Sequence, residues 1–273
     1  MKKTVRRLCF LLLLACTMGL LFGAASAEEW VLANNENIVF TVKEFAEDPF
    51  WGPCMKVYLE NKTDETLMFA IEDCAVNGVM NDPFWAAQLP AGSKANQDVI
   101  WMSFSGNAAS AGITQVDFEL RVYNSDDWSA PNLWEQAYTI QPLGESGVVP
   151  DQYIPDEDDI VLFDNEQAFM AVTGFRNDAV WGYSADVYLQ NRSEEPLMFS
   201  VENATVNGFM CDPFWAAQLP AGMNSYSSIS WFKQTFEENA ITEVEEIRLG
   251  IRVYPAGNWT GNAIVRETFT VNP

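Results

Sequence analysis

The residues best placed to do chemistry sit in one segment that occurs twice. Asp82-Pro-Phe-Trp-Ala-Ala-Gln-Leu-Pro-Ala-Gly92 recurs unchanged as residues 212–222. Each copy sets two aromatic rings, Phe84 with Trp85 and Phe214 with Trp215, just ahead of an amide, Gln88 or Gln218. Aromatic faces stack on sugar rings and amides bond hydroxyls, so the block is a candidate carbohydrate platform. The same residues have a plainer use. Buried aromatics dominate core energetics, and an exposed apolar patch is the exception that signals a site. Asp-Pro and Pro-Ala-Gly are turn signals, which puts the rings on or beside a connection. Closing the end of a fold is the preferred reading, with the identity reflecting recent duplication. Trp128 and Trp259, in polar surroundings late in each copy, are secondary candidates under the same two readings.

Catalysis finds little footing. The chain has no histidine, which removes imidazole bases, His-based triads and imidazole metal ligands. No nucleophile elbow or phosphate loop occurs. Paired carboxylates can hydrolyse glycosides, and 38 acidic residues put some close together, but no spacing selects a pair. We therefore assign no catalytic and no metal-binding residue. The acidic run Asp156, Glu157, Asp158 and Asp159 is a conceivable calcium site. Calcium needs several oxygens converging on one point, and a solvated charge run is the better account.

The elements that must position the aromatic block are themselves repeated. At an offset of 130, Val57-Tyr58-Leu59 with Asn61 returns as Val187-Tyr188-Leu189 with Asn191, and Val76-Asn77-Gly78 returns as Val206-Asn207-Gly208. Trp51-Gly52 matches Trp181-Gly182, and Trp101 matches Trp231. Near the end the offset becomes 131, with Arg121-Val122-Tyr123 against Arg252-Val253-Tyr254. So long a period means duplicated domains, not a solenoid. We expect one domain over residues 28–143 and another over 160–273. Between them residues 144–159, with Gly147, Pro150, Pro155 and the acidic run, read as a linker. Fully extended at ~3.1 Å per residue, it would span roughly 50 Å.

Within each copy the apolar residues alternate. Val116, Phe118, Leu120 and Val122 interleave with Asp117, Glu119, Arg121 and Tyr123, and residues 246–253 do the same. Period two with one apolar face is a strand lying on a core. Residues 38–43, 55–60, 67–72, 99–104 and 135–140 are further strand candidates, separated by turns at 61–64, Asn77-Gly78 and 90–92. Asn-Gly favours tight hairpins because both residues tolerate positive φ. Residues 105–112 and 233–239 are candidates for single helical turns. Seven short strands in each copy predict an all-β protein of two tandem β-sandwiches. An alternating strand ending in Asn, a polar turn, an apolar strand and Asn-Gly together resemble the immunoglobulin-like domains of secreted bacterial proteins, a group mostly without assigned functions. The resemblance implies that fold and nothing finer.

Three cysteines lie beyond the N-terminal leader: Cys54, Cys74 and Cys211. A hairpin centred on Asp64 would oppose Val57 to Ile71 and Leu59 to Phe69 on one face, and Cys54 to Cys74 on the other. That register permits a Cys54–Cys74 disulfide. Against it, consecutive strands of immunoglobulin-like sandwiches often cross between sheets, which would part the sulfurs. Cys211 would then pair with a second chain or stay a buried thiol. Sequons occur at Asn61, Asn191, Asn203 and Asn258. The first two fall in turns where Asn and a hydroxyl residue are wanted structurally.

The N-terminus sets the expected compartment. Lys2, Lys3, Arg6 and Arg7 precede an apolar run over residues 8–22, then Ala25-Ser26-Ala27. This is the pattern of a signal peptide cleaved after Ala27. A lipid anchor at Cys16, through the lipobox-like Leu13-Leu14-Ala15-Cys16, is the less favoured alternative. No later stretch is long and apolar enough to span a bilayer. The leader holds 4 of the 15 basic residues and no acidic ones, leaving 11 basic against 38 acidic and a net charge of −27. Such a surface repels nucleic acid and anionic lipid. We expect a secreted or envelope protein that acts by non-catalytic contact with a protein or glycan. The alternative is a carbohydrate-binding protein using the repeated aromatic block, and a carboxylate-based glycoside hydrolase is least favoured.

Overall fold

The computed structural model describes residues 29–101, 104, 111–127, 129–178, 182–213 and 215–273. The leader with Cys16, Trp128, Phe214 and most of residues 105–112 lie outside these.

Alternation along the chain becomes two layers of strand. The first half runs β1 (Trp30–Asn34), β2 (Ile38–Asp48), β3 (Gly52–Asn61), β4 (Leu67–Val76), β5 (Val79–Met80), β6 (Ala86–Leu89), β7 (Lys94–Ile100), β8 (Val116–Asn124) and β9 (Trp134–Ile140). One sheet has the order β1-β2-β3-β7. In the other, β4 pairs with β5, β6 and β8, and β8 with β9. The chain crosses between layers after β3, after β6 and after β7. Strand β3 therefore pairs with β7, and β4 with β8. That is the Greek-key pairing of the immunoglobulin sandwich. The inward residues Phe40, Val57, Leu59, Phe69, Leu120 and Val122 are buried together in one core, and each full burial of that kind contributes about 1.5–3 kcal/mol.

The second half repeats this order as β10 (Ile160–Asp164), β11 (Ala168–Asp178), β12 (Gly182–Asn191), β13 (Leu197–Val206), β14 (Phe209–Met210), β15 (Ala216–Leu219), β16 (Asn224–Phe232), β17 (Ile247–Pro255) and β18 (Val265–Val271). A short helix α1 (Lys233–Glu238) follows β16. Even the bulges match: the register slips between Val42 and Glu44 in one half and between Val172 and Gly174 in the other. Its core is separate, built on Met170, Val187, Leu189, Phe199, Leu249 and Val253. The turn Asn77-Gly78 closes β4 onto β5 with φ of 54° and 85°, and Asn207-Gly208 repeats it at 50° and 84°.

The expected strands are present, with differences at their margins. Residues 99–104 were expected as one strand, but β7 ends at Ile100, where the Trp101 indole turns inward. Strands β1, β5 and β6 escaped the alternation pattern because they are five, two and four residues long.

The hairpin register that permits a Cys54–Cys74 disulfide is overturned. No hairpin joins β3 to β4, since β3 pairs with β2 and β7. On β3 the core-facing residues are Met55, Val57, Leu59 and Asn61. Cys54 falls on the opposite face with Lys56, while Cys74 points into the core. A Cys54–Cys74 bond would have to pass through the strand, and both residues, like Cys211, are free buried thiols.

Residues 144–159 lie along a direct contact between the two sandwiches. Edge strand β5 pairs in parallel with β16, so one sheet of each sandwich merges into a single nine-stranded sheet. The Asn224 N–H donates to the Gly78 carbonyl at 2.9 Å, and the Asp151 N–H to the Asn77 carbonyl at 2.9 Å. Tyr153 lies flat on Tyr188 at 4.9 Å and packs against Phe169 at the same distance. Its hydroxyl donates to Asp159 Oδ2 at 2.6 Å. The linker is apolar enough at Tyr153 to cover the outer face of the second sandwich.

Candidate functional site

Trp101 organises the end of the first sandwich. Its backbone N–H donates to the Pro53 carbonyl at 3.2 Å, and its indole Nε1 to the Asn81 carbonyl at 3.0 Å. This holds the β2–β3 turn beside the loop that opens the repeated block. Asp82 Oδ1 accepts the Cys74 N–H at 2.7 Å, pinning the loop to the last turn of β4. Burial foremost pushes the Asp82 carboxyl above its ordinary value. With Asp82 fixed, Phe84 stands fully exposed, 100%, while Trp85 folds back edge-on to Phe40 at 6.5 Å.

The candidate residues therefore split. Phe84 is a surface ring. Trp85 is partly buried on the first core, with its Nε1 shielded from solvent, and Trp215 is partly buried on the second. Trp215 Nε1 donates to Ser227 Oγ at 3.0 Å. Gln88 spends its amide on Ser125 Oγ at 3.1 Å, and Gln218 lies on β15 opposite Met198. Asp212 and Trp231 repeat the bracing, to the Ala204 N–H at 2.7 Å and the Cys211 carbonyl at 2.6 Å. Phe214 lies outside the described residues. Trp259 is 70% exposed. The packing reading holds for the two tryptophans and fails for Phe84.

A second exposed pair was missed in the sequence. Phe50 and Trp51, at the tip of the β2–β3 turn, are 88% and 59% exposed. The Asp48 side chain caps them, Oδ1 accepting both the Phe50 and Trp51 N–H at 2.8 Å. A signal was present: Asp48-Pro49-Phe50-Trp51 is the same tetrapeptide as residues 82–85. Matching the two halves at offset 130 hid it, because the second half has Asp178-Ala-Val-Trp181 there. Two copies of one tetrapeptide thus sit at one end of the first sandwich, each held by its aspartate.

Carboxylates gather at the joint. A cleft of 360 Å³ between the sandwiches is lined by Asp73, Asp117, Glu119 and Thr139 from one side and Pro220 and Met223 from the other. Burial foremost, then the charges of Glu135, Asp73 and Glu72, push Glu119 up. Asp117 is occupied, its oxygens accepting Gln115 Nε2 at 2.7 Å and Thr139 Oγ1 at 2.6 Å. Phe118 and Tyr138 also line the cleft, Phe118 buried in the first core and Tyr138 partly buried against it. Among the described residues no three carboxylate, cysteine or histidine side chains converge as a metal site. Of the acidic run, Asp159 accepts from Tyr153 and from the Asp156 N–H, so it serves as a turn brace. Among the described residues no helix is long and apolar enough to cross a membrane.

No family model matches the chain, and no curated protein matches it. Among solved structures, the YadV chaperone shares 12% identity, with 87% of this chain and 100% of that chain covered, at a TM-score of 0.23. The Salmonella enterica SafA pilin in complex with the SafB chaperone shares 7% identity, covering 88% and 98%, at 0.25. The Pseudomonas aeruginosa CupB2 chaperone shares 10%, covering 80% and 91%, at 0.20. At such TM-scores the fold assignment rests on the strand pairing above: the chain is a tandem of two immunoglobulin-like β-sandwiches.

Proposed function

We propose that the protein is a non-catalytic contact module of the cell exterior, exported by its leader and built as two duplicated domains over residues 28–143 and 160–273. One observation carries this reading. Phe50, Trp51 and Phe84 are held out into solvent by loops that Asp48 and Asp82 lock in place. Phe50 and Trp51 stand side by side on one turn, and contiguous exposed apolar surface marks a site of contact. Loops braced before binding lose little backbone entropy on contact, which favours affinity. The strongly acidic surface argues against nucleic acid and anionic membrane, and a protein is the partner class we favour.

The test is fluorescence of the mature chain, titrated separately with proteins fractionated from the exporting cell's envelope and with a panel of cell-wall polysaccharides. A saturable change with a protein fraction, lost in the Phe50→Ser, Trp51→Ser, Phe84→Ser variant, is the expected result. Saturation with a polysaccharide would transfer these rings to the glycan reading. Release of product from any substrate would overturn the non-catalytic assignment.

A further inference from the structure

The joint between the two sandwiches uses one end of the first and the opposite end of the second. On the first sandwich it is made by the β4–β5 turn, Asn77-Gly78-Val79-Met80. Val79 is 1% exposed there, and Met80 packs against the second core. On the second sandwich it is the start of β16, where Asn224 donates to Gly78 and pairs with Val79. The neighbouring Pro220 and Met223 complete the cleft.

Each half of this joint has an unused counterpart. Asn207-Gly208-Phe209-Met210 has the same turn geometry and the same hairpin register as residues 77–80. Yet Phe209 is 48% exposed and Met210 69%. At the far end of the first sandwich, the turn Pro90-Ala-Gly92 and the start of β7 match Pro220-Ala-Gly222 and the start of β16. Asn61 N–H takes the Ser93 carbonyl as Asn191 N–H takes that of Met223. Lys94 then occupies the place of Asn224, on a strand that among the described residues pairs with β3 alone. An unpaired strand edge is a template for another chain.

We infer that the protein associates with itself head to tail, the Gly208–Phe209–Met210 edge of one copy docking on the Ser93–Lys94 edge of the next and repeating the internal joint. The contact is weaker than the internal joint for two reasons. Phe169, which packs on Tyr153, and Tyr226, which packs on Tyr188, are Val39 and Asn96 in the first. The internal joint is also tethered, which raises its effective concentration. A contact between unlike surfaces does not close on itself at two copies, so it builds larger rings or open chains.

Sedimentation velocity of the mature chain over a concentration series tests this. Two variants each remove one half of the contact: Phe209→Asp with Met210→Asp on the docking edge, and Lys94→Pro, which deletes the outward N–H, on the receiving edge. Met210→Asp alone, at the more exposed position, is the milder form of the first. The wild type is expected to sediment faster as concentration rises, each variant to stay monomeric with an unchanged melting temperature, and an equimolar mixture of the two to give dimers only. A wild type that stays monomeric at every concentration, or association that survives in either variant, overturns the inference. The Phe50, Trp51, Phe84 variant is expected to self-associate like the wild type, so failure of the contact reading and failure of this one show separately.

Discussion

Asn61 is the most fully committed side chain in the first sandwich. It is buried, and its Oδ1 accepts the Thr63 N–H at 2.9 Å and the Thr63 hydroxyl at 2.8 Å. Its Nδ2 donates to the carbonyls of Glu65, Leu89 and Pro90 at 2.8, 3.0 and 3.1 Å. One amide thus ties the β3–β4 turn to the β6–β7 turn, and Asn191 does the same for Glu195, Leu219 and Pro220. The sequon pattern at both sites is a structural signature, since no proton on Nδ2 is left for a sugar. Asn61→Asp would turn a carboxylate toward three carbonyls. Leaving such buried groups unsatisfied costs about 1–3 kcal/mol each, so we expect a loss of about 2–4 kcal/mol in denaturant unfolding. A loss below half a kilocalorie would show that the brace is dispensable.

At the scale of the element, two-residue alternation decides what a side chain can reach. Cys54 and Cys74 lie in consecutive strands, yet one faces the outside of its sheet and the other the core. Burial foremost pushes the thiols of Cys54, Cys74 and Cys211 upward, so none is a ready thiolate. A chain beginning at residue 28, with Cys54, Cys74 and Cys211 as its cysteines, is therefore expected to show almost no fast reaction with a thiol reagent when native and three reactive thiols when unfolded without reductant. Only one reactive thiol on unfolding would restore the disulfide. The same alternation explains the aromatic block. In β6, Ala87 and Leu89 turn inward while Gln88 faces out, and the preceding turn throws Phe84 out and Trp85 in.

At the scale of the whole molecule, the joint makes one body of two sandwiches. Its direct bonds are few, but Val79, Met80, Asp151 and Tyr153 seal it from both sides. Val79→Asp would place a charge where the two sheets merge, and an unpaired buried charge is strongly unfavourable. We expect small-angle scattering to report a larger radius of gyration for this variant, with both sandwiches still folded. An unchanged radius would mean that the linker contacts alone hold the halves together.

Much of this architecture is legible in the residues, because it depends on short-range periodicity. Alternation at 116–123 and 246–253, the Asn-Gly turns and the offset-130 matches are local facts, and local sterics enforce them whatever the rest of the chain does. The identity of residues 82–92 and 212–222 likewise marks a structurally important block. What periodicity cannot give is which strand lies beside which. The layer crossing after β3 separates Cys54 from Cys74, and it follows from the pairing of β3 with β7, some forty residues away. The exposure of Phe84 against the burial of Trp85 is decided by how Asp82 and Trp101 pin one loop. The joint depends on β5, two residues long, meeting β16 across the domain boundary. These are contacts between distant segments, set by burial and hydrogen-bond satisfaction over the whole fold, and only the tertiary structure decides them.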